Sequence, residues 1–162
     1  MIFTKYVNIN TQNREHINSF IAEHWFSTDM IIRGTIIDMT KVDGIVALEN
    51  NDIIGLLTYT IHENVCEITS LDSLLEGKGI GTTLINKLLF IAKEANCNRV
   101  IVVTTNDNIN AIRFYQRRGF DMARLYHNAL DISRKIKPSI PLIGDNGIPL
   151  KHEIEFEIDF AK

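Results

Sequence analysis

Apolar and polar positions alternate along this chain with two periods, and the switches between them predict its elements. An apolar opening over residues 2–7 predicts a first strand. Ile17, Phe20, Ile21 and Trp25 then recur at helical spacing. The run MIIRGTIIDM, residues 30–39, is broken by Arg33-Gly34 and predicts a short helix or an irregular strand. GIVALE (44–49) faces IIGLLTYTI (53–61) across Asn50-Asn51-Asp52, a hairpin signal. A second turn at His62-Glu63-Asn64 leads into VCEITSLDSL (65–74), which completes a three-stranded meander.

Ile80, Leu84, Ile85, Leu88, Leu89, Ala92 and Ala95 make the wide apolar face of a long helix, which fades at Asn96-Cys97-Asn98. RVIVVTT (99–105) is nearly all β-branched and reads as a strand covered on both faces. A helix separates it from the preceding strand, so the two are expected to be parallel, joined by a right-handed crossover. NDNINAIRFYQRRGF (106–120) opens on cap-type residues and ends at Gly119, a C′ position of a helix. FDMARLYH (120–127) reads as a strand. PSIPLIGDNGIPL (138–150) holds all three prolines and predicts a long loop. In HEIEFEIDF (152–160), Ile154, Phe156, Ile158 and Phe160 alternate with Glu153, Glu155, Glu157 and Asp159. That predicts a half-buried antiparallel strand whose acidic row is solvated or borders a cationic substrate's path.

Composition narrows the class. A chain of 162 residues, 45% hydrophobic and 23% charged, fits one domain spanning residues 1–162. The net charge of −3 gives a nucleic-acid partner no support. The basic cluster ISRKIKP (132–138) reads as a solvated helix end. Cys66 and Cys97 form no CxxC pair, which suits a reducing compartment. No apolar run approaches the ~18 residues of a membrane span, and the N-terminus carries no signal-peptide core, so the expected location is cytoplasmic. The five histidines show no metal-ligand spacing, and no metal is expected.

Chemistry enters at LLEGKGIGTTL (74–84), where Gly77, Gly79 and Gly81 crowd a helix start. Bare N–H groups and the helix dipole favour an anion there, and glycines let a phosphate approach the backbone. Lys78, Thr82 and Thr83 add charge and hydroxyls. The stretch is neither a P-loop nor a dinucleotide fingerprint. Taken alone it is equally an anion site or a tight turn.

EGKGIG, followed about 27 residues later by NINAIRFYQRRGF, resembles the GNAT N-acetyltransferase superfamily. That family's acetyl-coenzyme A motif, [QR]xxGx[GA], ends a strand and opens a helix, and its companion motif is NxxAxxFYxxxGF. Asn108, Ala111, Phe114, Tyr115, Gly119 and Phe120 match the second pattern throughout. The order of elements is similar from Ile2 to about Phe160.

The resemblance implies an α/β fold of the α+β type. Its mixed, mostly antiparallel sheet would have six or seven strands, a central splayed parallel pair and flanking helices. It implies acetyl-CoA as co-substrate, without a metal. The pantetheine arm would pair with Leu71, Asp72 and Ser73. The pyrophosphate would sit on backbone from Gly77 through Lys78, Gly79, Ile80 and Gly81 to Thr82. Asn108 would contact the pantetheine arm or order the loop. Tyr115 would protonate the departing thiolate, after direct attack by a deprotonated amine.

Tyr115 is also a plausible core aromatic, and Asn108 a plain helix cap. Glu67 interrupts an apolar strand; it is a solvated residue or the base that such enzymes place there, and Asp72 is a weaker candidate for that role. Trp25 and Arg33 lie where the acceptor site is usually walled, and Arg33 fits a substrate carboxylate. Two departures stand out: Glu76 replaces the motif's Gln or Arg, and Val103 replaces a glutamate found in enzymes that acetylate protein N-termini. Val103 counts against that subclass; the acceptor amine stays open, with a small molecule favoured over a protein and a homodimer as an option. The alternative is a degenerate member that binds an acyl-CoA as a sensor.

Overall fold

Turn chemistry sets the meander. Asn50 and Asn51 both take left-handed φ values, +50° and +67°, the pair of conformations that a two-residue hairpin turn demands. In the computed structural model, which describes residues 2–161, the elements run as follows. Strand β1 (Lys5–Asn8) precedes helix α1 (Arg14–Trp25), then strands β2 (Asp29–Ile32), β3 (Thr35–Asp38), β4 (Asp43–Glu49), β5 (Asp52–His62) and β6 (Val65–Ser73). Helix α2 (Ile80–Glu94), strand β7 (Arg99–Thr105), helix α3 (Ile109–Arg117), strand β8 (Asp121–Tyr126), helix α4 (Ala129–Ile136) and strand β9 (Glu153–Asp159) complete the chain. The main sheet has seven strands in the order β1-β4-β5-β6-β7-β9-β8 and is mostly antiparallel, with β6 and β7 as its parallel pair.

The chain forms two compact units. The first comprises the residues up to Met30 together with Asp38–Val100. Its core joins Ile17 and Ile21 of α1, Leu56 and Leu57 of β5, Ile68 of β6, and Leu84, Ile85 and Leu88 of α2, all at most 1% exposed. Helix α2 packs on β4, β5 and β6 through the apolar face read from its sequence. The β5–β6 ladder carries a bulge. Thr58 pairs with Ser70 and Tyr59 with Ile68, so Thr69 is the additional residue.

The second unit comprises Ile31–Ile37 and the residues from Ile101 onward. Tyr115, Phe120 and Phe156 form an aromatic cluster, and Ala129, Leu130 and Leu150 pack with Tyr126 and Ile140. Residues 138–150 form the expected long loop, tied down from several sides. Asn106 Nδ2 donates to the Pro149 carbonyl at 2.9 Å, and Asn106 Oδ1 accepts from the N–H groups of Lys151 and His152. The buried Asp107 accepts from Thr105 Oγ1 at 2.5 Å and from the Asp145 N–H at 2.9 Å.

Four expectations need correction. The first strand starts at Lys5, and Ile2 and Phe3 are exposed ahead of it. Residues 30–39 are neither a helix nor one strand: β2 and β3 pair, and Arg33 (φ +49°) and Gly34 (φ +73°) make the turn. The basic cluster does end a helix, but Arg134 is not simply solvated. Its guanidinium donates to the carbonyls of Ile140, Pro141 and Leu150 and holds the loop. Strand β9 is antiparallel as expected and pairs with β8, yet the first half of its acidic row is not solvated: Glu153 is 4% exposed and Glu155 3%, while Glu157 and Asp159 are half-buried.

Candidate active site

The glycine turn has the conformations its sequence suggests. Gly77 (φ +75°) and Gly79 (φ +69°) both lie in the left-handed region, where a side chain is strained. Gly79 is the N-cap of α2, no side chain caps it, and the first turn carries no acidic residue. Thr83 is turned inward to its own helix, with Oγ1 donating to the Gly79 carbonyl at 3.0 Å. Gly81 is buried in the first turn. Glu76 is exposed, so its charge is solvated. Lys78 reaches Glu49, Nζ to Oε1 at 3.9 Å.

Upstream of the turn, the end of β6 holds a buried carboxylate. Asp72 accepts from Trp25 Nε1 at 3.1 Å through Oδ2, and His24 Nε2 lies 3.3 Å from Oδ1. Burial pushes the Asp72 carboxyl above the usual carboxylate range, opposed by the Trp25 hydrogen bond and by His24. The side chain of Asp72 is thus tied to α1, a role separate from the backbone contact that the resemblance implies. Trp25, expected as an acceptor-site wall, is the anchor of that tie and is itself partly exposed.

Glu67 is half-buried in the middle of β6, opposite Thr60. Asp72 lies opposite Leu56, and Ser70 opposite Thr58. Leu56, Thr58 and Thr60 share one face of β5, so Glu67, Ser70 and Asp72 share one face of β6 despite their mixed parity. The bulge also explains a buried hydroxyl cluster: Thr58 Oγ1 lies 2.7 Å from Thr69 Oγ1 and 2.5 Å from Ser70 Oγ.

Asn108, Tyr115 and Arg33 belong to the second unit. Asn108 is the N-cap of α3, its Oδ1 accepting from the Ala111 N–H at 3.1 Å. Gly119 follows the helix end at φ +92°, in its expected C′ role. Tyr115 is buried, with its ring packed edge-on against Phe114 and Phe120 and tilted against Phe156. Arg33 faces acids of its own chain. Its N–H donates to the Glu153 carboxylate, its guanidinium lies 3.6 Å from Glu155, and it sits 5.9 Å from the centre of the Tyr126 ring. Arg124 and the Tyr126 hydroxyl complete the surroundings of Glu155 at 3.5 and 3.0 Å. Burial and the Glu155 carboxylate push the Tyr126 phenol up.

The sequence pattern singles out neither His24 nor the Thr58–Thr69–Ser70 cluster. For the histidine, the available signal was its place beside Trp25 at the end of an apolar helix face. For the hydroxyls it was the run of Ser and Thr inside two apolar strands. Among the described residues, no group of three or more His, Cys, Asp or Glu is placed to hold a metal ion. No helix among them is long and apolar enough to cross a membrane.

Comparisons with known proteins bear on the same residues. The Acetyltransferase (GNAT) family matches residues 10–120, which include the glycine turn and Tyr115. Uncharacterized protein YxbD of Bacillus subtilis (strain 168) is 44% identical over 142 residues, covering 87% of this chain and 89% of that protein. The structure of an IAA acetyltransferase from Bacillus cereus ATCC 14579 matches with a TM-score of 0.74 at 20% identity, over 98% of this chain and all of that one (100%). A GNAT family acetyltransferase from Elizabethkingia anophelis with acetyl-CoA bound matches with a TM-score of 0.69 at 17% identity, over 97% and 98% of the two chains.

Proposed function

Since the chain belongs to the GNAT acetyltransferase family, we propose that it moves the acetyl group of acetyl-CoA to a small-molecule primary amine by direct attack. The observation that carries this reading is the glycine turn: two left-handed glycines deliver the chain to a helix start that no side chain caps. Such a start offers N–H donors and a positive dipole end to the pyrophosphate, from Gly77 through Thr82. The pantetheine arm runs along backbone at Leu71, Asp72 and Ser73, and a β6 N–H steadies the oxyanion that forms at the thioester carbonyl. Asn108, the N-cap of α3, is assigned to the pantetheine arm, as the family's motif implies.

The reaction order follows from proton balance. The acceptor sheds one proton before it attacks. Its nitrogen bonds to the carbonyl carbon, the C–S bond breaks, and a second nitrogen proton leaves as the amide forms. Tyr115 supplies a proton to the departing thiolate and recovers one from solvent. Its ring is held by three phenylalanines, which supports a fixed hydroxyl position.

The test is coenzyme A release from acetyl-CoA over a panel of primary amines, run beside thermal shifts with acetyl-CoA and with ATP. Acetyl-CoA should raise the melting temperature, ATP should not, and at least one amine should give turnover. Tyr115→Phe should keep the acetyl-CoA shift and lose kcat by about 10²-fold or more. Stabilisation by ATP but not acetyl-CoA overturns the reading. Stabilisation by acetyl-CoA with no turnover on any amine selects the sensor.

A further inference from the structure

We infer that His24, oriented by Asp72, is the base that takes the acceptor amine's proton, an inference that rests on the acetyl-transfer reading. Asp72 sits on the stretch of β6 along which the thioester arm is proposed to run, and its two carboxylate oxygens have separate partners. Oδ2 accepts from Trp25, and Oδ1 faces His24 Nε2. The tryptophan contact alone anchors the end of α1 to the strand. The histidine contact adds something an anchor does not need, because the imidazole stays 39% exposed while its partner is 8% exposed.

The contacts around the imidazole hold its ring in one orientation. His24 Nε2 lies 3.3 Å from Asp72 Oδ1, so we assign the neutral ring's proton to Nε2, which leaves the lone pair on Nδ1. The ring plane is set by Phe20, stacked at 5.3 Å with an 8° interplanar angle, and by Trp25, edge-on at 5.7 Å. A partly exposed imidazole with a buried carboxylate beside one nitrogen is an arrangement suited to proton abstraction. His24 lies in the last turn of α1. The groups facing Asp72 are His24 and the Trp25 indole from α1. Glu67 shares its face of β6, five residues back.

The step balances. The ammonium form of the acceptor gives one proton to His24 Nδ1, and its freed electron pair attacks the acetyl carbon. The imidazolium then returns that proton to solvent through its exposed edge. Asp72 is a positioning residue: it selects the tautomer and does not touch the amine.

The test is the pH profile of coenzyme A release with an active amine from the panel, for wild type, His24→Gln, Asp72→Asn and Glu67→Gln. His24→Gln should lower kcat/KM about 10²-fold at pH 7 and leave the KM for acetyl-CoA unchanged. The loss should shrink toward pH 10, where the amine arrives already deprotonated, and added imidazole should restore part of the rate. A loss equal at every pH, or a pH-dependent loss in Glu67→Gln instead, overturns the assignment. Nitrogen NMR of His24 tests the geometry without turnover. The neutral ring should carry its proton on Nε2 in wild type and become a mixture in Asp72→Asn; a wild-type ring protonated on Nδ1 overturns the proposal. A panel with no active amine removes the acetyl-transfer reading itself, whereas turnover that His24→Gln leaves untouched removes only the role of His24.

Discussion

Replacing Gly55 with alanine tests whether the sheet and the glycine turn are mechanically one piece. Gly55 lies in β5, where a Cβ would stand 2.6 Å from Ile80 Cγ2, 3.2 Å from the Asp72 carbonyl oxygen and 3.4 Å from Ala47 Cβ. Ordinary contact needs roughly 3.4–4 Å, so Ile80 must retreat by about 1 Å. Ile80 is β-branched, 2% exposed and the first residue of α2, so neither its rotamer nor its surroundings yield easily. Overpacking of this kind costs about 1–3 kcal/mol, and alanine regains about 0.4–1 kcal/mol by restricting the unfolded chain. The expected net loss is about 1–2 kcal/mol in urea unfolding.

The displacement falls on the helix start proposed to hold the pyrophosphate, so coenzyme binding should weaken about tenfold. At acetyl-CoA set to 100 times the wild-type Kd, the wild type gains about 2.7 kcal/mol and a tenfold weaker variant about 1.4 kcal/mol. Ile80→Ala should cost less in the Gly55→Ala background than in wild type, because the new methyl partly fills the space. A Gly55→Ala protein with wild-type stability and the full ligand gain would refute the reasoning.

Glu155→Ala should destabilise the fold by about 2–3 kcal/mol, because it strips a buried carboxylate from Tyr126, Arg33 and Arg124; a urea-unfolding change under about 0.5 kcal/mol would return the acidic row to solvent. Burial pushes the Cys66 thiol up to about 12, from an ordinary 9.0. The unfolded thiol therefore ionises first as pH rises, and the stability Cys66 contributes is intact below pH 9 and lost as pH climbs toward about 12. Urea unfolding of wild type and Cys66→Ala at pH 8 and pH 10.5 should show the wild type losing more, with a limiting slope of about 1.4 kcal/mol per pH unit; parallel curves would count against it.

Local chemistry explains what could be read directly from the sequence. Strand β7 has the bounds its β-branched run suggests, α2 begins at Ile80, and Gly119 ends α3 in a left-handed conformation. In each case neighbouring residues decide the outcome. Where distant residues decide, the sequence pattern misleads. The alternation in 152–160 correctly separates two faces of β9, but what covers the acidic face is Arg33, more than 100 residues earlier, with Arg124 and Tyr126. The turn at Arg33-Gly34 was obscured because arginine rarely adopts positive φ. Among the candidate site residues, the glycines, Asn108 and Tyr115 are the ones that motif spacing singles out. The His24–Asp72 contact is not legible there, since it depends on where the last turn of α1 meets β6.

The bulge at Thr69 separates two properties that strands usually bind together. Removing Thr69 leaves Glu67, Ser70 and Asp72 at alternate positions of a regular strand, still sharing one face. What such a deletion takes away is the local bend and added twist of β6, along with one hydroxyl partner of Thr58. The chemistry-bearing side chains keep their side of the sheet while the curvature beneath them relaxes. The single residue inserted at Thr69 thus acts on the shape of the surface that presents these groups rather than on their selection.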